Sequence, residues 1–315
     1  MIIVTGGAGF IGSNLIRALN KRGESNILLV DHLVNGRKML NIADLNIADY
    51  MDKTEFIDKI DTPSFLNGVK AVFHQGACSA TTEWNGQYVM ENNYTYSKQL
   101  LQACLAKNIA FIYASSASVY GNGEQGFRVD RSCEQPINMY AYSKFQFDQY
   151  VGRLLPTTHS QIAGFRYFNV YGPGEQHKAA MSSTAFHFNQ QVLEHNKAKL
   201  FAGCDGMANG EQQRDFVYVD DVVDVNLWFL DNPEQRGIFN VGTGRAETFN
   251  TVANAVIAWH QKGSIEYIPF PEHLKGAYQS YTQADISGLR QAGYSKDFLT
   301  VKQGVTQYLD GLNSK

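Results

Sequence analysis

The sequence predicts an α/β fold: a Rossmann-type doubly wound parallel sheet with a smaller, mixed C-terminal substrate lobe. Three observations predict it. The chain opens on a short apolar run at 2–4, followed at once by a glycine turn over 5–12 and an apolar repeat at helical spacing. A second apolar run over 27–30 ends in Asp31. Strand-like and helix-like segments then alternate as far as residue 166, the pattern of a parallel sheet covered on both faces.

Taken in order, Leu15, Ile16 and Leu19 line one face of a first helix, and Gly23 stops it. The next strands fall at 27–31, 70–74, 111–115 and 162–166, and helices at 92–105 and 140–154. Beyond Asn169 the pattern loosens. A polar loop with Gly and His covers 172–181, a helix follows at 183–195, and a small polar stretch occupies 204–213. Strands at 216–219 and 238–241 and helices near 252–260 and 301–312 complete the chain. The expected organisation is a cofactor domain over 1–168, with 214–243 returning to it, and a substrate lobe over 169–213 and 244–315.

Composition narrows the function classes. The 315 residues carry 27 basic and 30 acidic side chains, a net charge of −3, so no basic surface points to nucleic acid. With 44% hydrophobic residues the chain is not of the disordered class. Cys78, Cys104, Cys133 and Cys204 lie at least 26 residues apart, which argues against a zinc site and a disulfide framework and for reduced thiols. The first residues lack a basic, signal-like start and no apolar run reaches 18 residues, so a soluble cytoplasmic protein without metal is expected.

Two constellations carry chemistry. Gly6, Gly9 and Gly12 sit between strand and helix, where missing Cβ atoms let a pyrophosphate approach a helix N-terminus. Asp31 ends the second strand, where a carboxylate bonds ribose hydroxyls and favours NAD, whereas Arg37, Lys38 and Lys53 would suit a 2′-phosphate. The residues alone leave NAD and NADP open. The second constellation is Ser116 with Tyr140 and Lys144. The Tyr-x-x-x-Lys spacing puts phenol and ammonium on one helical face, where the ammonium is expected to lower the phenol's pKa from about 10 and make it a general base. Ser116 ends a strand at the carboxyl edge of the sheet and could hold the reacting oxygen. Tyr142 and Tyr150 lack such a lysine.

The glycine turn at 5–12, the 115–121 segment with Ser115, Ser116 and Tyr120, and the 140–144 segment resemble the extended short-chain dehydrogenase/reductase superfamily, the NAD(P)-dependent epimerases and dehydratases of nucleotide sugars. Further blocks at 75–84, 165–173, 174–178, 214–219 and 265–285 resemble the ADP-L-glycero-D-manno-heptose 6-epimerase family within it. That resemblance implies a cytoplasmic, homo-oligomeric (in relatives pentameric) enzyme that makes a heptose donor for lipopolysaccharide. It implies a tightly held NADP, with Lys38 and Lys53 on the phosphate. By position Phe10, Ile11, Asp31, His32, Gln75, Gly76, Ala77, Cys78, Ser79, Asn92, Lys144, Val170 and Lys178 would also line the cofactor. Asn169, His187, Phe201, Ala202, Gly203, Cys204, Arg214 and Tyr278 would face the sugar nucleotide, Arg214 suiting its diphosphate. Lys178 is the implied second proton donor beside Tyr140.

The chain departs from that family in two places: Ala180 stands where a substrate-contacting Ser is expected, and His32 where Asn is more usual. The 204–213 stretch is also slightly long. A 4,6-dehydratase is disfavoured, because such relatives carry an Asp-Glu pair where this chain has Ala117 and Ser118. A UDP-hexose 4-epimerase needs the same triad and stays open, and a non-catalytic cofactor-binding sensor would have lost the Tyr-Lys pair.

Overall fold

The computed structural model describes residues 1–204, 206–272 and 279–313. Its strands, in chain order, are β1 (Ile2–Thr5), β2 (Ile27–Asp31), β3 (Asp49–Asp52), β4 (Ala71–His74), β5 (Ala110–Ser116), β6 (Ile162–Tyr167), β7 (Asn169–Tyr171), β8 (Lys197–Phe201), β9 (Gln213–Arg214), β10 (Phe216–Tyr218), β11 (Gly237–Val241), β12 (Glu247–Thr248) and β13 (Ser264–Ile268). The helices are α1 (Phe10–Lys21), α2 (Lys53–Lys59), α3 (Gly86–Met90), α4 (Tyr96–Ala106), α5 (Met139–Leu154), α6 (Thr184–His195), α7 (Val219–Asp231), α8 (Phe249–His260), α9 (Ser287–Gln291) and α10 (Val301–Asn313).

Seven strands form one sheet in the order β3-β2-β1-β4-β5-β6-β11. Every pairing from β3 to β5 is parallel. The fold is therefore the expected α/β doubly wound one, and its chain order reverses between β1 and β4, where such sheets bind ligands. The strands are buried along their length because helices cover both faces: β1, β2 and β4 contain no exposed residue. Val30, Val72, Phe111, Phe147 and Leu100 belong to the cluster that joins sheet to helices.

The chain divides into two compact units. The first comprises 1–119, 136–166 and 223–239; the second comprises 120–135, 167–222 and 240–315. These boundaries differ from the sequence-drawn ones in two places. Residues 120–135 group with the second unit, because the Tyr120 hydroxyl donates to Asn240 Oδ1 at 2.6 Å and Phe127 packs on Phe168 and Tyr281. Strand β10 also belongs there, paired in parallel with β7, so the segment returning to the first unit begins at Val223. Among the described residues the second unit pairs its strands two by two: β10 with β7, β13 with β8, and β12 with β9.

Sequence reading missed α7 and most of the short strands beyond 168, and in the first part of the chain it missed β3 and α2. Strand β3, with sequence DYMD, lies at the sheet edge and is half-exposed, so it carries no apolar run to mark it. The expected helix at 92–105 starts earlier, at Gly86, and passes through a π-helical turn over Glu91–Thr95 between α3 and α4. No helix among the described residues is long and apolar enough to cross a membrane.

Candidate active site

The glycine turn closes around the reversal point. Gly6 follows β1 with φ +66°, and a Cβ on it would stand 2.6 Å from the backbone of Gly76, which follows β4. A Cβ on Gly76 would in turn stand 3.1 Å from Gly6 N. The backbones that follow β1 and β4 thus pack directly against one another, an approach that a side chain at Gly6 would block. Gly12 is required by the turn itself, since a Cβ there would strike Gly6 O. Helix α1 has Gly9 as its N-cap residue, which has no side chain to cap the first turn. A helix start with a glycine N-cap, on a turn with no side chains at Gly6, Gly7 and Gly9, fits a pyrophosphate.

At the end of β2, Asp31 is buried and already engaged. Its Oδ2 accepts Ala8 N–H at 2.9 Å, and its Oδ1 accepts His32 N–H at 2.7 Å and Lys38 Nζ at 2.8 Å. Lys38 therefore shares the carboxylate that sequence reading reserved for ribose. Lys53 Nζ donates to Asn92 Oδ1 at 2.5 Å, bringing together two residues placed on the cofactor from sequence. Phe10 is buried at the start of α1 and Ile11 is half-buried beside it.

The 75–79 loop following β4 is held by a residue that sequence reading overlooked. Asn93, buried in the π-helical turn, accepts Cys78 N–H at 2.7 Å and donates to Cys78 O at 2.9 Å and to Ser143 Oγ at 2.9 Å. Ser143 donates onward to Tyr140 O at 2.7 Å. The π-helical turn is what aims this amide, and no periodicity signals such a turn. Gln75 Nε2 reaches Asn226 Oδ1 at 3.3 Å. Beneath the loop, His74 is buried between Thr5 Oγ1 at 2.6 Å and Ser97 Oγ at 2.7 Å. Burial, seconded by the Lys144 charge, pushes its pKa down to about 3.

Ser116, Tyr140 and Lys144 come together where β5 ends against α5. The Ser116 hydroxyl lies close enough to the Tyr140 phenol to lower its pKa. Lys144 is buried and its Nζ donates to Ala114 O at 2.7 Å. The expected lowering of the phenol does not appear. Burial raises the Tyr140 pKa, the Ser116 hydroxyl lowers it in part, and the nearby Cys78 raises it again. Burial also brings Lys144 down to about 8, against the opposing pull of Asp148. Desolvation thus outweighs the pairwise charge effect that helical spacing suggested.

In the second unit, Lys178 sits in a short 3-10 turn over Gln176–Met181 that contains the strained Ala179, at φ 50° and ψ −120°. Burial lowers the Lys178 pKa and Glu175 raises it. Glu175 is fully buried and accepts Ser183 N–H at 2.5 Å and Ser183 Oγ–H at 2.7 Å, fixing the turn against the start of α6. His187 lies on α6, and its Nε2 is buried without a hydrogen-bond partner among the described residues. Asn169 and Val170 lie on β7, with Asn169 exposed. Arg214 on β9 is buried, donates to Gln213 O at 2.9 Å and lies 5.7 Å over the Phe249 ring. Phe201 ends β8, and the bend through Ala202, Gly203 and Cys204 is held by Gly203 N–H to Asn209 Oδ1 at 2.9 Å and by Gln212 Nε2 to Ala202 O at 3.0 Å. Tyr278 lies outside the described residues. All four cysteines are free, Cys104 and Cys133 buried and Cys78 and Cys204 half-buried.

A doubly wound sheet with a glycine turn and a Ser-Tyr-Lys group at the end of β5 defines a class of nucleotide-cofactor proteins. Residues 2–242 match the model of the NAD dependent epimerase/dehydratase family, and the chain belongs to that family. Among solved structures it is similar to ADP-L-glycero-D-manno-heptose-6-epimerase of Helicobacter pylori, with 28% identity, a TM-score of 0.86, and coverage of 100% of this chain and 96% of that one. It is similar to UDP-glucose 4-epimerase of Thermotoga maritima, solved with UDP-glucose, at 26% identity, a TM-score of 0.82 and coverage of 99% and 98%. UDP-glucose 4-epimerase of Thermus thermophilus, solved with NAD, is similar at 25% identity, a TM-score of 0.79 and coverage of 99% and 98%.

Proposed function

We propose that this chain is a nucleotide-sugar epimerase that interconverts the C6 epimers of ADP-glycero-manno-heptose, through a transient 6-ketone that is reduced again from its opposite face. The observation that carries the reading is the buried Lys144, its Nζ held 2.7 Å from Ala114 O at the strand end where Ser116 lies beside the Tyr140 phenol. Full-length likeness to the Helicobacter enzyme supports the choice of substrate. Ala117 and Ser118 lack the acid that elimination of water would need, which favours epimerisation over dehydration. Likeness to the two UDP-glucose 4-epimerases supports a second reading, a UDP-hexose 4-epimerase.

A nicotinamide nucleotide, when bound, supplies the acceptor and donor of hydride. In this reading the glycine turn at Gly6, Gly9 and Gly12, with Phe10 and Ile11, holds its pyrophosphate. Asp31, His32, Lys38, Lys53 and Asn92 surround the adenosine end. Two ammonium groups there, one of them already paired with Asp31, support NADP over NAD. Gln75, Gly76, Ala77, Cys78, Ser79, Lys144, Val170 and Lys178 complete the cofactor set. Ser116 holds the reacting oxygen. Tyr140 takes its proton and returns one, and a phenol raised by burial is well suited to the return. Lys178, lowered by burial, is the second proton donor. Asn169, His187, Phe201 to Cys204, Arg214 and Tyr278 bind the sugar nucleotide, and the unpartnered His187 Nε2 suits a sugar hydroxyl. On this reading the protein works in the cytoplasm as a homo-oligomer, pentameric as in its relatives.

Incubation with ADP-D-glycero-D-manno-heptose, followed by NMR at C6, tests the reading, with UDP-glucose as the competing substrate. Inversion at C6 with substrate deuterium retained there is expected, and no consumption of added NADPH. Solvent deuterium at C6, or turnover of UDP-glucose alone, overturns it. Lys178→Met is expected to abolish turnover with KM little changed; a near-normal kcat with a raised KM returns Lys178 to phosphate binding.

A further inference from the structure

Tyr140, Lys144 and Asp148 follow one another at four-residue intervals on α5, so all three face the same side of the helix. Asp148 is buried, with 1% exposure, and no motif of the sequence reading included it. Its carboxylate is filled from the sheet. Oδ1 accepts the Tyr113 hydroxyl at 2.9 Å, and Oδ2 accepts the Ser115 hydroxyl at 2.8 Å and Arg166 Nε at 2.9 Å.

These donors occupy telling positions. Tyr113 and Ser115 flank Ala114 on β5, and Ala114 O is the acceptor for Lys144 Nζ. Ser116, next along the strand, lies beside the Tyr140 phenol. The strand residues 113, 114 and 115 are therefore each hydrogen-bonded to the 144–148 face of α5, and 116 lies beside Tyr140. Gly164 on β6 gives the arrangement its room, since a Cβ there would collide with the Tyr113 ring and hydroxyl. A glycine inside a buried strand costs stability unless something needs the space. Here the space goes to the tyrosine that reaches Asp148.

We infer that Asp148 is a positioning residue of the epimerase site: its carboxylate, shared by Tyr113, Ser115 and Arg166, fixes the end of β5 against α5 so that Ala114 O and the Ser116 hydroxyl stay in register with Lys144 and Tyr140. This rests on the reading of Ser116, Tyr140 and Lys144 as the reacting group. The carboxylate has a second consequence. The groups around Lys144 are the Tyr140 phenol and Asp148 carboxylate on its own helix, His74 on β4, Arg166 on β6 behind Asp148, and Cys78 near Tyr140. Asp148 supplies the negative charge that opposes the burial of the ammonium, so its loss makes Lys144 lose its proton at lower pH.

The test uses Asp148→Asn together with the paired variant Asp148→Leu/Arg166→Met, which removes the Arg166 guanidinium along with its carboxylate and keeps the volume filled. Activity is measured on whichever of ADP-heptose and UDP-glucose the wild-type protein turns over. Each variant that unfolds in urea like the wild type is expected to lose tenfold or more in kcat with KM changed less than threefold. The alkaline fall of its kcat profile should begin at lower pH, and Asp148→Glu should recover part of both. A folded paired variant with wild-type kcat and an unmoved pH profile overturns the inference and makes Asp148 a structural residue only. Tyr140→Phe, run in parallel, separates the two levels. Its full activity overturns the reading of the site and the role of Asp148 with it, whereas an inactive Tyr140→Phe beside an active paired variant overturns the positioning role alone.

Discussion

The two units solve the same problem by different means. Each must satisfy the backbone groups of the segments that carry its functional side chains. In the first unit the parallel sheet does most of this, and Ser116, Asp31 and Gly76 all sit at or just after strand ends whose hydrogen bonds run the length of the ladder. In the second unit β8 and β13 pair over five residues, but β7 pairs with β10 over three and β9 with β12 over two, and around these shorter pairs buried carboxylates take over. Glu175 collects Ser183 N–H, Ser183 Oγ–H and Gly172 N–H. Asp215 collects Thr243 N–H at 2.7 Å, Thr243 Oγ–H at 2.8 Å, Gly244 N–H at 2.9 Å and Ala284 N–H at 3.0 Å. Where no sheet is available, one acid gathers several loops.

The contrast is broken most directly at Asp215. Its removal orphans four donors from three loop positions, at about 1–3 kcal/mol for each buried group left unsatisfied, less whatever relaxation recovers. Asp215→Ala is expected to destabilise the protein by about 4 kcal/mol or more, among the larger effects a single substitution has. The matched change in the first unit is Asp52→Ala, which removes the N-cap bond to Thr54 N–H on half-exposed α2 and should cost about 1 kcal/mol. Urea unfolding of both variants gives the comparison. Equal, small losses would mean that the second unit does not depend on its buried acid.

The same contrast explains what the sequence showed. The first unit was legible because its motifs obey periods: Leu15, Ile16 and Leu19 mark α1, and Tyr140 and Lys144 share a helical face. The glycines were legible as a turn, although in the structure Gly6 and Gly12 are required by close approach of backbone to backbone. Asn93, Asp148 and Asp215 were not legible. Each acts over long sequence separations, 15 residues to Cys78, 35 to Tyr113 and 69 to Ala284, and no local pattern encodes such partners. The raised Tyr140 pKa was missed for a related reason: spacing reveals a neighbouring charge, whereas burial depends on the whole fold.

A smaller effect sharpens the comparison through pH. His74 holds the first unit's sheet to α4 and the loop beyond it as a neutral ring, its pKa depressed to about 3. A histidine lowered in the folded state is unfavourable to protonate there, while the unfolded chain takes up a proton below about pH 6.5. Its contribution is therefore fully present above pH 6.5 and is lost as pH falls towards 3. Between pH 6.5 and 5 the loss is about 2 kcal/mol, at 1.36 kcal/mol per unit. Urea midpoints of wild type and His74→Asn across that range should converge by this amount. Parallel curves would show that His74 titrates alike in both states.

The smallest expected effect lies at the least constrained part of the first unit. Lys38 and Lys53 stand outside the sheet, one on the 3-10 turn Gly36–Asn41 and one at the start of α2. Each is held by side-chain bonds of its own, Lys38 to Asp31 and Lys53 to Asn92, so neither is fixed by the ladder that fixes Ser116. If the proposed NADP is bound, its 2′-phosphate offers both ammonium groups a doubly charged partner, and Asp31 is relieved of competing with it as long as Lys38 remains. Protein denatured after purification should then release NADP. Lys38→Ala/Lys53→Ala removes both cations and frees Asp31 Oδ1 for a ribose hydroxyl. Two partly exposed charge-assisted contacts of roughly 0.5–1 kcal/mol each predict a shift in the NADP-to-NAD affinity ratio of about tenfold towards NAD. Thermal stability should change little, because neither lysine belongs to the packed core. Calorimetric titration of the apo protein with each nucleotide reads the ratio. Release of NAD alone from the wild type, or an unchanged ratio in the double variant, would place cofactor choice elsewhere and leave the two lysines as holders of Asp31 and Asn92.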